Sequence, residues 1–161
     1  MHCPKPLFPG ARVALVAPAS AVPEEKRQPA LDYVSSLGLE PVVYPSCYFI
    51  NRDGYLAAND AQRAKDLNDA FSDPSIDGIW CIRGGYGGHR ILPLLDAEGI
   101  RKNPKWFGGY SDVTAIFEQL IAPAGKPCIT DVACGHILPT LSLPMGRICT
   151  LDADHCTIVL E

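Results

Sequence analysis

The stretch Arg12-Val-Ala-Leu-Val-Ala17 is apolar with no polar interruption after its first residue, and it stops at Pro18-Ala-Ser20. A half-exposed strand alternates apolar and polar residues, whereas a strand covered on both faces reads as a continuous apolar run. This stretch is therefore predicted to lie inside a parallel sheet with helices on both sides, which fixes the class of fold. The following segments supply the layers. Glu24 to Leu37 carries Leu31, Val34 and Leu37 on one face and ends at Gly38; Pro29 inside it places the expected start near that residue. Glu40-Pro-Val-Val-Tyr44 reads as a second strand, and 46–57 as a loop of mixed aromatic and polar residues. Asn59 to Phe71 reads as a helix, capped by Asn59 or Asp60, with Ala61, Ala64, Leu67, Ala70 and Phe71 as its apolar stripe.

Ile76-Asp-Gly-Ile-Trp-Cys-Ile82 is the third predicted strand and runs directly into Arg83-Gly-Gly-Tyr-Gly-Gly88. A short helix is expected from His89 to Leu95, then a fourth strand over Pro104–Gly108. The expected fold is α/β, a mainly parallel, flavodoxin-like sheet with flanking helices. After Leu120 the pattern changes. Cys128–Cys134 reads as a strand, and Arg147–Asp152 and Cys156–Leu160 as two more around Ala153-Asp-His155. The expected division is an α/β unit over 1–121 and a C-terminal β segment over 122–161.

Chemistry concentrates where strands give way to glycine-rich loops. Trp106-Phe-Gly-Gly-Tyr-Ser-Asp-Val-Thr114 has the layout strand, tight turn, Ser, helix, with Val113, Ile116, Phe117 and Leu120 apolar behind it. That layout lifts a Ser hydroxyl onto a sharp turn beside helix N–H groups, which favour a developing oxyanion. The sequence is not G-x-S-x-G, and Ser111 or Asp112 as a simple helix N-cap is the competing reading. Gly84-Gly-Tyr-Gly-Gly88 can serve as a tight turn or bring N–H groups to an anion; it is neither a P-loop nor a dinucleotide fingerprint. In parallel α/β sheets the site lies at the carboxyl ends of the strands, so these two loops are expected to be neighbours. Gly135-His136 follows a predicted strand, which makes His136 a candidate general base as well as a structural His.

Composition narrows the classes. A net charge of −4 with no basic run argues against nucleic acid and anionic membrane as partners. The start, Met1-His-Cys-Pro-Lys-Pro, lacks the pattern of a secretory signal, so the cytoplasm is the expected compartment. The seven cysteines are odd in number and contain no C-x-x-C pair; they suggest neither a disulfide framework nor a zinc site, and no cofactor is implied. Cys81, Cys128, Cys149 and Cys156 sit in apolar runs and read as small buried hydrophobes.

Arg83-Gly-Gly-Tyr-Gly87 with Leu92-Pro-Leu-Leu-Asp96, followed by Gly109-Tyr-Ser-Asp-Val-Thr-Ala115, resembles the N-terminal half of the LD-carboxypeptidases, the serine peptidases of the muramoyl-tetrapeptide carboxypeptidase and microcin-immunity group. Ala11–Ser20 resembles that family's opening strand, and Gly135-His-Ile-Leu-Pro-Thr-Leu-Ser-Leu-Pro-Met-Gly146 its C-terminal His segment. The resemblance implies Ser111 as nucleophile, His136 as general base, and oxyanion donors from the backbone N–H of Asp112 and of the Gly84-Gly85 turn. Arg83, Gly84 and Tyr86 are the implied substrate contacts, and no metal is required. The implied substrate is a murein tetrapeptide, cut at the bond to its terminal D-Ala in the cytoplasm. Members of that family are nearly twice as long; between the elbow helix and the His segment they carry most of a second domain, with a catalytic Glu. Here Leu120 passes to Lys126 through a short loop, Glu118 does not match that Glu, and Asp131 is the candidate for orienting His136. The expectation is thus an impaired serine carboxypeptidase, forming a homodimer with a packed or exchanged C-terminal segment. The alternatives are an inactive muropeptide-binding or assembly module, and a flavodoxin-like phosphate or nucleotide binder.

Overall fold

The computed structural model describes residues 5–49, 54–116, 149–152, 155 and 157–160. Four strands, β1 (Arg12–Val16), β2 (Glu40–Val43), β3 (Gly78–Cys81) and β4 (Trp106–Gly108), form one all-parallel sheet in the order β2-β1-β3-β4. This is the strand order of the first four strands of a flavodoxin-like sheet. Ala14 pairs with Val42 on one side and Ile79 on the other, so β1 is central, as its uninterrupted apolar sequence requires.

The two faces of β1 feed two cores. Ala14 and Val16 join Ala64, Leu67, Ala70 and Phe71 of α2 (Asp60–Ser72), with Ile79, Phe107, Val113 and Ile116. Val13 and Leu15 join Val34 of α1 (Glu24–Ser36), with Val22, Cys47 and Ala57. Successive side chains of a strand point to opposite faces, and this alternation explains the division.

α1 runs unbroken through Pro29, contrary to the expected start near that residue. The ring is on the exposed side, so the carbonyl it leaves unpaired opens to water instead of into the core. α2 starts where expected: the Asn59 side chain accepts the Gln62 N–H at 2.8 Å. The predicted helix over His89–Leu95 divides into α3 (Gly88–Ile91) and a 3-10 turn over Leu92–Leu94, followed by a further helix, α4 (Ala97–Lys102), that the sequence pattern did not reveal. Asp96 caps α4 by accepting the Gly99 N–H at 2.9 Å. β5 (Cys149–Asp152) and β6 (Thr157–Leu160) pair antiparallel, as predicted. Among the described residues, no helix is long and apolar enough to cross a membrane.

Cys47 and Cys81 are buried and free. Burial, followed by the nearby Asp66 charge, pushes the Cys47 thiol up to about 12, and burial pushes Cys81 well above its ordinary value. A thiol held neutral in the folded chain contributes stability that is complete below the unfolded-state value near 9 and is lost as pH rises toward 12. Alkaline titration of the unfolding free energy should therefore fall in that window, and Cys47→Val should flatten the fall. An unchanged slope would show that Cys47 is not its source.

Candidate active site

The strand order reverses direction around β1, and ligand sites in such sheets form at the carboxyl end of the switch point. Three loops meet on that rim: 17–22 after β1, 82–87 after β3, and 109–113 after β4. The first two are pinned together, and the third is bonded to Gly88, just past the second. The Ser20 N–H donates to the Gly84 carbonyl at 3.1 Å, and the buried Ser20 hydroxyl accepts the Tyr86 N–H at 3.1 Å. The Ala21 N–H donates to the Tyr55 carbonyl at 2.8 Å, which brings 54–58 to the same edge.

The loop after β4 folds as the sequence layout suggested. β4 ends at Gly108, a 3-10 turn spans Ser111–Val113, and 114–116 are helical. Ser111 has φ +64°, and among the described residues it is the only non-glycine residue with positive φ. That region costs an ordinary side chain about 1–3 kcal/mol and is held only where the surroundings impose it. Strain at a Ser between a strand and a helix is the backbone signature of a nucleophile elbow. Neither Ser111 nor Asp112 acts as the simple N-cap. The residue preceding the turn is Tyr110, without a side-chain capping bond, and the Asp112 carboxylate instead accepts the Gly88 N–H at 2.6 Å.

The two glycine-bearing loops are neighbours, as expected. A Cβ on Gly84 would lie 3.1 Å from the Tyr110 carbonyl, 3.2 Å from Ser111 Cβ and 3.5 Å from the Asp112 nitrogen. Gly84 is thus the surface against which the elbow closes. Gly85, with φ +106°, stands next in the same turn. Of the residues expected to contact substrate, Arg83 directs one guanidinium nitrogen to the Ala21 carbonyl at 2.5 Å and so props the first loop. Tyr86 is half-exposed and packs edge-on to His89 at 5.1 Å and beside Tyr55 at 6.2 Å. Tyr110 is exposed on the same rim. His136, Asp131 and Glu118 lie outside the described residues.

Sequence reasoning missed the group beneath this rim. Arg63 of α2 is fully buried. Its guanidinium donates to the carbonyls of Pro18, Gly87 (2.8 Å) and Ala58 (3.2 Å), and pairs with Asp60, which also holds Arg90 at 2.9 Å. Burial lowers the Arg63 pKa, while Asp60 opposes that fall. The available signal was positional: Arg63 lies one turn before Leu67, on the apolar stripe of its helix, where a cation must find several acceptors.

Comparison with known proteins agrees with this architecture. A family model described as the LD-carboxypeptidase N-terminal domain matches residues 13–130. A Streptomyces coelicolor protein named as a carboxypeptidase is 47% identical over 126 residues, covering 76% of this chain and 40% of its own length. The murein tetrapeptide carboxypeptidase of Pseudomonas aeruginosa is 36% identical over 135 residues, covering 83% of this chain and 43% of its own length. Among solved structures, a MccF-like protein from Bacillus anthracis superposes with a TM-score of 0.71 at 30% identity, over 78% of this chain and 38% of that one. The chain therefore spans about two-fifths of the length of the relatives it matches. With the family model covering well over half of its residues, the chain belongs to the LD-carboxypeptidase family.

Proposed function

We propose that this chain is a serine-type LD-carboxypeptidase that cleaves the bond to the terminal D-Ala of murein tetrapeptides, with Ser111 as nucleophile and His136 as general base. The observation that carries the reading is the positive φ of Ser111, on a turn closed against Gly84. His136 enters from its sequence setting, and the substrate from the relatives' names together with the motif resemblance.

The reaction follows in two halves. The Ser111 hydroxyl oxygen attacks the scissile carbonyl carbon while His136 takes its proton. The resulting oxyanion faces the backbone N–H groups of Asp112 and Gly85, which accept its charge without rearranging. Collapse breaks the C–N bond, His136 returns the proton to the departing D-Ala amine, and water then hydrolyses the acyl-serine ester by the same route. Arg83, Gly84 and Tyr86 contact the peptide on the rim. With no residue matching the family's Glu, His136 lacks its orienting carboxylate unless Asp131 supplies it, and the loss of such a group lowers kcat by about 10⁴. We place the protein in the cytoplasm as a homodimer, with segment 122–161 packed on or exchanged with 1–121.

A fluorophosphonate probe should modify the purified chain, with the adduct mapped to Ser111. His136→Ala should slow that labelling by about 10²–10⁴-fold, the span of general-base catalysis. Labelling that is absent, or that maps elsewhere, would leave a ligand-binding module in place of a peptidase.

A further inference from the structure

The Gly87–Gly88 peptide unit is engaged at both ends by charge. Its carbonyl accepts from the Arg63 guanidinium at 2.8 Å, and its N–H donates to the Asp112 carboxylate at 2.6 Å. A hydrogen bond to a charged group is shorter and stronger than a neutral one, and bonds in series polarise one another. A cation on one side and an anion on the other polarise this peptide in the same direction. The geometry leaves little freedom. A Cβ at Gly87 would lie 3.1 Å from an Arg63 nitrogen, and Gly87 itself has φ +109°. A Cβ at Gly88 would lie 2.8 Å from the Asp112 carboxylate. The same guanidinium holds the Pro18 carbonyl at the end of β1. The path therefore runs from the buried face of α2, through one peptide plane, to the residue that follows Ser111.

We propose that Arg63 is a positioning residue for the nucleophile: through the Gly87–Gly88 peptide it tethers Asp112 and so holds Ser111 in its strained turn. This rests on the reading of Ser111 as nucleophile. Asp112 thereby has two separable parts, a backbone N–H facing the oxyanion and a carboxylate fastening the elbow to the loop opposite. Among the described residues, the fully buried Arg63 has one partly exposed carboxylate, that of Asp60, as its direct ion-pair partner, and the backbone carbonyls it holds supply the remaining compensation for its burial.

Two readouts test this separately. The first is the amide proton of Gly88 by NMR. Bonded to a carboxylate at 2.6 Å, it should resonate far downfield and exchange slowly in the wild-type chain. Arg63→Met and Asp112→Asn should both move it upfield, and Arg63→Lys should restore part of the shift. The second readout is the rate of fluorophosphonate labelling at Ser111. Arg63→Met and Asp112→Asn should lower it by about a hundredfold, the cost of a displacement near 1 Å at a reacting group. Arg63→Lys should fall between. Should Arg63→Met fail to fold, the comparison of Asp112→Asn with the wild type carries the test from the other end of the bridge. A folded Arg63→Met or Asp112→Asn chain with wild-type Gly88 resonance and wild-type labelling would overturn the proposal. A wild-type chain that is not labelled, yet whose Gly88 resonance responds to Arg63, would overturn the nucleophile reading while upholding the bridge as a structural tether.

Discussion

Ser111→Ala is expected to lower release of D-Ala from a murein tetrapeptide by about a hundredfold, and the size of the loss is itself informative. Removing the nucleophile of a complete triad costs about 10⁶ in kcat. A chain lacking the orienting carboxylate has already lost about 10⁴ of that, which leaves about 10² to lose. A measured drop near 10⁶ would therefore mean that another carboxylate, with Asp131 as the first candidate, completes the triad. No drop would remove Ser111 from the chemistry. Ser111→Gly separates activity from strain. It should lose the same turnover yet gain about 1 kcal/mol, because glycine occupies the left-handed region without penalty. For a chain of this size that gain raises Tm by about 2–4 °C. A Gly variant no more stable than the wild type would show that φ +64° is not a strained state here.

Gly85→Ala should be the most damaging small substitution on the rim. Gly85 has φ +106°, and an added Cβ would overlap the Ser20 hydroxyl and come within 2.8 Å of Ser20 Cβ. Ser20 cannot simply yield, since its hydroxyl accepts the Tyr86 N–H and its own N–H donates to the Gly84 carbonyl. Backbone strain and overpacking together are expected to cost about 3 kcal/mol. That corresponds to a fall in Tm of roughly 6–12 °C. Gly54→Ala is the control: it shares a positive φ, +69°, but an added Cβ meets nothing within 4 Å. It should cost only about 1 kcal/mol. Equal losses in the two variants would show that Ser20 is not the obstacle.

The sheet was legible because burial on both faces leaves a plain mark on sequence. The continuous run in β1 and the glycine-rich loop after β3 were enough to place the rim, and Asn59 marked the start of α2. What escaped reading was of two kinds. α4 is six residues long and too short to show a period. Pro29 misled because propensity penalises proline in a helix whichever way it faces, whereas the exposed side tolerates it. On the rim, the tight turn between β4 and the helix that follows, and its closeness to the glycine-rich loop, were readable from local sequence. The contacts of Arg63, Ser20 and the Asp112 carboxylate were not, because each joins segments that become neighbours only when the sheet is assembled.

The tether at the elbow carries a consequence for the life of the chain before it is folded. Arg63 reaches Pro18 across 45 residues and Gly87 across 24, and Gly88 reaches Asp112 across another 24. Contacts of this span form late, since the entropy of closing such loops is spent before any contact offsets it. On a nascent or partly unfolded chain Ser111 therefore sits in an ordinary relaxed backbone, with nothing to impose its turn. On the proposed reading of Ser111 as nucleophile, reactivity would arrive with the last long-range contacts, and the chain would stay inert until its own fold is complete.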